Sequence, residues 1–126
     1  MPLQTTIFIV DDSSIIRERI LEKLGMLPMT STVLQAKDYQ SANQIIDKEQ
    51  PDIAILDIQL PDGSGIDLLS KIKNMRKETV VIMLTNYPYS IIRKRCDELG
   101  ADYFFDKSTE FEKVLEVLET RQTAVR

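Results

Sequence analysis

The stretch IFIVDDSSIIRERI, residues 7–20, decides the fold. Four apolar residues run straight into two adjacent acids, Asp11 and Asp12, and a helical pattern follows. A short run that is apolar on both faces reads as a strand covered on both sides, the mark of a parallel sheet. Two neighbouring carboxylates repel each other, so their place at the end of such a strand asks for a compensating charge.

The same rhythm recurs along the chain. Further strand-like runs are TVLQA (32–36), IAIL (53–56), VVIML (80–84) and YFF (103–105), after TIFIV at 6–10. Helical stripes lie between and after them. They are Ile16, Ile20 and Leu24, with Gly25 as a stop; Ala42, Ile45 and Ile46; Ile66, Leu69 and Ile72; Ile92, Cys96 and Leu99, opened by Pro88 and closed by Gly100; and Phe111, Val114, Leu115 and Leu118. Ser108 or Thr109 is expected to cap the last helix, with Glu112 as the capping-box acid. Alternating strands and helices predict an α/β fold of flavodoxin-like, doubly wound (βα)5 type, a five-stranded parallel sheet in the order 2-1-3-4-5. Ligands then bind at the carboxyl ends of the strands, where strands 1 and 3 are neighbours.

Composition narrows the function. The chain has 126 residues, enough for one domain, and residues 1–126 are expected to form a single unit with no output domain following. A net charge of −4 disfavours direct binding of nucleic acid. No run is apolar enough to insert in a membrane, and no secretory signal is evident. One cysteine, Cys96, allows no internal disulfide, so a cytoplasmic location is expected. The absence of histidine removes Ser-His-Asp catalysis and His-ligated zinc.

Chemistry-bearing residues follow the strands. Asp11 and Asp12 come after the first, Asp57 after the third, Thr85 after the fourth, and Asp106 and Lys107 after the fifth. Taken singly, each has a bland reading: Asp12 or Ser13 as a helix cap, Asp57 as a turn residue, Thr85 as a capping or packing residue, Lys107 as a solvated charge. Their joint placement at one sheet edge is harder to explain that way. Clustered carboxylates of this kind suit a hard cation with oxygen ligands, Mg²⁺, with Mn²⁺ as the substitute. Acids, metal, lysine and hydroxyl together suit stabilisation of a transferring phosphoryl group, with Asp57 as the best candidate for the nucleophile. No P-loop occurs. A haloacid-dehalogenase-type phosphatase would need D-x-D with the nucleophile inside it, and a flavodoxin would need a phosphate loop after strand 1.

The pieces IVDDSSIIRERI, PDIAILDIQLPDGSGIDLL, VIMLTNY and GADYFFDKS, in this order, resemble the receiver domain of two-component response regulators, over nearly the whole chain. The resemblance implies a phosphoacceptor switch. Asp57 would take a phosphoryl group from a phosphohistidine on a sensor histidine kinase or phosphotransfer protein. Asp12 would ligate Mg²⁺ directly, Asp11 through water, Asp57 by a carboxylate oxygen and Gln59 by its carbonyl. Lys107 would pair with Asp57, Thr85 would reach the phosphoryl group, and Phe104 would be the aromatic that turns inward with it. Pro61, Gly63 and Gly65 would shape the loop after the acceptor. The chain would catalyse its own phosphorylation and dephosphorylation without being a turnover enzyme on an external substrate. It would control a protein partner through its helix 4–strand 5–helix 5 face, as a single-domain regulator or as the receiver of a longer transcription factor, and a phosphorylation-linked dimer is compatible with this. The alternative is a phosphorelay intermediate or phosphate sink.

Departures from the family pattern sharpen the reading. Asn86 replaces a usually smaller residue, and with Tyr87 and Gln59 it is expected to modulate access to Asp57. Ser108 replaces a common proline that follows a cis bond, which leaves the Lys107–Ser108 geometry open. Ile15 is a candidate for kinase contact, and the basic run at Arg93, Lys94 and Arg95 for an acidic output partner.

Overall fold

The structure is a computed structural model that describes residues 5–27 and 31–124. Its elements are β1 (Thr5–Val10), α1 (Ser14–Gly25), β2 (Ser31–Ala36), α2 (Tyr39–Lys48), β3 (Ile53–Leu56), β4 (Gln59–Leu60), β5 (Gly63–Ser64), α3 (Gly65–Met75), β6 (Val80–Thr85), α4 (Ser90–Glu98), β7 (Tyr103–Asp106) and α5 (Phe111–Ala124). Five strands form one parallel sheet in the order β2-β1-β3-β6-β7, which is the expected 2-1-3-4-5 arrangement. The short antiparallel ladder β4–β5 was not anticipated, because two-residue strands carry no periodicity.

The apolar runs are apolar because both faces are covered. Phe8, Val10, Ala54, Leu56, Val81 and Met83 pack on one face against Ala42, Ile46, Leu68, Leu69, Ile72 and Cys96 of α2, α3 and α4. Ile7, Ile9, Ile53, Ile55, Ile82 and Leu84 pack on the other against Ile20 and Leu24 of α1 and Phe111, Val114, Leu115 and Leu118 of α5. Each fully buried aliphatic or aromatic side chain contributes about 1.5–3 kcal/mol.

Local details correct the reading of helix ends. Gly25 is the last helical residue of α1, and only Gly100 among the described residues has positive φ, at 98°. It closes the turn after α4, where an L side chain would be strained. Pro88 lies outside α4, whose N-cap is Tyr89. The acid that reaches back at the start of α5 is Glu110: its Oε1 accepts from the Asp106 N–H at 3.0 Å. Glu112 instead faces Arg19 at 3.9 Å, on the surface.

Candidate functional site

Register sets the site. Val10, Leu56 and Met83 lie side by side in neighbouring strands, so the residues that follow them meet at one edge. Backbone bonds extend the alignment beyond the strands: Asp57 N–H donates to Val10 O at 2.9 Å, Asp11 N–H to Ala36 O at 3.1 Å, and Lys107 N–H to Thr85 O at 2.9 Å.

Lys107 is the hub. Its Nζ lies 2.8 Å from Asp11 Oδ2 and 3.0 Å from Asp57 Oδ2, and all three side chains are less than a tenth exposed. Asp11 Oδ1 also accepts from the Ser13 N–H at 2.9 Å, while Ser13 itself caps α1. Burial pushes the Asp57 carboxyl above its ordinary range, and the Asp11 charge adds to this. The Lys107 charge and hydrogen bond and the Gln59 N–H offset it only in part. Burial alone would lower Lys107, but its bonds and charges toward Asp11 and Asp57 outweigh that and hold the ammonium above its ordinary value. The lysine therefore stays protonated while Asp57 is left under-compensated.

Asp12 is exposed and completes the acid set. Asp11, Asp12 and Asp57 each offer an oxygen, and these atoms lie within 4.8 Å of one another. Three clustered carboxylates, two of them sharing one lysine, leave negative charge in excess, which fits a divalent cation such as Mg²⁺. Asp12, Asp57 and Lys107, with Ser13, Ile16, Gln59, Asn86, Tyr87 and Ser108, line an open pocket of about 430 Å³. Gln59, Asn86 and Tyr87, the residues expected to modulate access to Asp57, are thus part of its lining.

Other expected residues are arranged differently. Thr85 is fully buried, and its Oγ1 accepts from the Tyr87 N–H at 3.0 Å. Phe104 does not line this pocket: its ring is already buried, with the Arg93 guanidinium 4.6 Å from its centroid. Asp106 sits at the same sheet edge but does not join the acids. Its Oδ1 accepts from the Ser108 N–H at 2.9 Å and hydroxyl at 2.7 Å, which hold its carboxyl below the usual range. This turn carries the chain past Lys107 on a trans Lys107–Ser108 peptide. Ile15 is 68% exposed, so it belongs to the surface and not to the core.

The loop after Asp57 needs its glycines. A Cβ on Gly65 would overlap the Asp57 carbonyl oxygen, so any side chain there displaces the Asp57 backbone. A Cβ on Gly63 would meet the Tyr39 ring at 2.9 Å. Sequence reading missed two residues that hold backbone near the site. Arg17 donates to the Asp11 carbonyl, and Asp62 at the tip of the loop binds the N-terminus of α2. Both act on backbone atoms, which leave no mark in side-chain pattern.

The family model for the response regulator receiver domain matches residues 7–119. The chain belongs to that family. This receiver domain is 36% identical over 106 residues to the phosphate regulon transcriptional regulatory protein PhoB of Escherichia coli, covering 80% of this chain and 44% of PhoB. It is 35% identical over 107 residues to a cyclic di-GMP phosphodiesterase of Thermotoga maritima, covering 85% of this chain and 28% of that protein. The chain therefore spans less than half the length of either relative. The BeF3-activated receiver domain of DrrB, from Thermotoga maritima, superposes with a TM-score of 0.81 at 29% identity, covering 97% of this chain and 99% of that one.

Proposed function

We propose that this receiver domain is a phosphoacceptor switch in which Asp57 takes a phosphoryl group from a phosphohistidine on a sensor kinase or phosphotransfer protein. The observation that carries the reading is the Lys107 ammonium, held 3.0 Å from Asp57 and 2.8 Å from Asp11 on the floor of an open pocket. An Asp57 oxygen attacks phosphorus, the O–P bond forms, and the N–P bond breaks with its electron pair returning to the partner's imidazole. Lys107 neutralises charge on the phosphoryl oxygens. Asp11, Asp12, Asp57 and the Gln59 carbonyl would hold Mg²⁺, which supplies further charge neutralisation at those oxygens.

The readout follows from differential contact. The Thr85 hydroxyl accepts the Tyr87 N–H and still has its own O–H to donate, and a phosphoryl oxygen on Asp57 is a new acceptor. That contact exists in one state only, so it biases the equilibrium of the loop leading into α4. Phe104, at the middle of β7 and beneath Arg93 of α4, connects the loop to the α4–β7–α5 face. That face would contact the output protein, with Arg93, Lys94 and Arg95 favouring an acidic one. The kinase or phosphotransfer protein would dock near Ile15 of α1. Gln59, Asn86 and Tyr87 in the pocket lining would set how readily water reaches the acyl phosphate.

The test is intact mass after incubation with acetyl phosphate. The native chain should gain one phosphoryl group with Mg²⁺ and none after chelation, and Asp57→Asn should gain none. A native chain that gains no mass from either acetyl phosphate or a phosphorylated kinase would refute the proposal.

A further inference from the structure

Arg17 stands one turn into α1 and reaches back over the start of that helix. Its Nη1 donates to the Asp11 carbonyl at 2.6 Å, and its Nε donates to Gln35 Oε1 at 3.2 Å. One guanidinium thus ties the turn between β1 and α1 to the end of β2. The same turn is pinned by Asp11 N–H on Ala36 O and by Ser13 N–H on Asp11 Oδ1. The carbonyl that Arg17 holds belongs to the peptide joining Asp11 to Asp12. Fixing its direction fixes the direction in which Asp12 leaves the chain.

We infer that Arg17 is a positioning residue for the divalent-cation site: by holding the Asp11–Asp12 peptide against Gln35 it presents the Asp12 carboxylate to the pocket it shares with Asp57. The inference rests on the proposed reading of Asp11, Asp12 and Asp57 as the cation ligands. Arginine suits the task because its planar fork serves two acceptors in fixed directions at once, which a lysine ammonium on a flexible stem does not. Partners that orient metal ligands without touching the metal commonly matter as much as this.

Charge argues the other way, and that makes the inference testable. A guanidinium near three carboxylates repels a dication, so through space alone its removal would tighten Mg²⁺ binding. Positioning predicts the opposite sign. Both Arg17 and Gln35 lie outside the buried core, so substitutions there leave the packing intact.

The experiment is calorimetric Mg²⁺ titration of the full chain at fixed ionic strength, with thermal melts of each metal-free variant alongside. Arg17→Ala should bind Mg²⁺ about tenfold more weakly. Arg17→Lys, which keeps the charge and loses the fork, should fall between it and the native chain. Gln35→Ala should also weaken binding, although it changes no charge, and it serves as the test if Arg17→Ala fails to fold. Equal or tighter binding by Arg17→Ala would overturn the inference while the cation site stands. A native chain that binds no Mg²⁺ would overturn the site reading itself, and this inference with it.

Discussion

The two edges of the sheet use the same residue types to opposite ends. At the amino edge, Asp52 Oδ2 accepts from the Thr6 N–H at 2.8 Å and its Oδ1 pairs with Arg76 at 3.1 Å. Asp102 Oδ2 accepts from the Val81 N–H and from Lys73, each at 2.9 Å. Lys73 is completed by two carbonyls, Thr79 O at 2.6 Å and Lys77 O at 3.1 Å. Each acid there has one cation and one backbone N–H, and these pairs fasten strand ends to helix α3. At the carboxyl edge, Asp11 and Asp57 share the single ammonium of Lys107, and Asp12 lies beside them. Charge is balanced at one edge and in deficit at the other. That deficit, more than the presence of acids, is what supports the proposed cation and phosphoryl site.

The lysines give the largest test of this contrast. Lys107→Ala leaves two buried carboxylates facing each other without a cation and should cost about 3 kcal/mol in metal-free urea unfolding. Mg²⁺ should restore part of that loss, because it supplies the missing charge. Lys73→Ala leaves Asp102 with its Val81 bond and a partly exposed carboxylate, and should cost about 1–2 kcal/mol with no Mg²⁺ response. Equal responses of the two variants to Mg²⁺ would break the comparison.

Acid-to-amide changes should differ in sign. Asp57 titrates high in the folded state, so its ionised form opposes folding at neutral pH. Metal-free Asp57→Asn should therefore be more stable than the native chain by about 1 kcal/mol at pH 7. The advantage should shrink as pH falls through the folded-state value, because the native carboxyl then binds its proton and the repulsion goes. Asp52→Asn at the other edge keeps an acceptor for Thr6 and loses only a half-exposed pair, so it should destabilise by about 0.5 kcal/mol. Paired urea titrations across pH 4–8 measure both signs. A less stable Asp57→Asn would mean that Lys107 compensates the acids fully.

Much of this was legible in the sequence, and the limits have physical causes. Apolar runs ending in Asp11, Asp57 and Thr85 fixed the strand ends, because burial on both faces leaves a continuous pattern. The family pieces supplied the roles expected of Lys107 and Phe104. The contact of Lys107 with Asp11 as well as Asp57 was not legible, since it depends on side-chain reach across two strands. Nor was the Asp106–Ser108 turn, in which a strand-end acid serves its own loop. Arg17 and the β4–β5 ladder were missed because backbone acceptors and two-residue strands have no sequence signature.

Asp62 sharpens the contrast with the smallest effect. It lies at the carboxyl edge, on the tip of the loop after Asp57, yet both its oxygens are occupied, here by backbone N–H groups where the amino-edge acids use one N–H and one cation. Its two oxygens accept from the Tyr39 N–H at 2.6 Å and the Gln40 N–H at 3.1 Å, while Asp38 takes the Ser41 N–H at 2.9 Å. The first donors of α2 are thereby met by two carboxylates at the positive end of the helix dipole. If charge balance separates structural from functional acids, Asp62→Ala should lower stability by about 0.5–1 kcal/mol, as the loss of an exposed cap does. Its Mg²⁺ affinity should stay within about twofold of native, in contrast to the roughly tenfold loss expected at Arg17. Urea unfolding and Mg²⁺ titration on the one variant check both halves. A large fall in Mg²⁺ affinity would show that the loop tip, through the β4–β5 ladder, positions Gln59 and Asp57 as firmly as the turn before α1 positions Asp12.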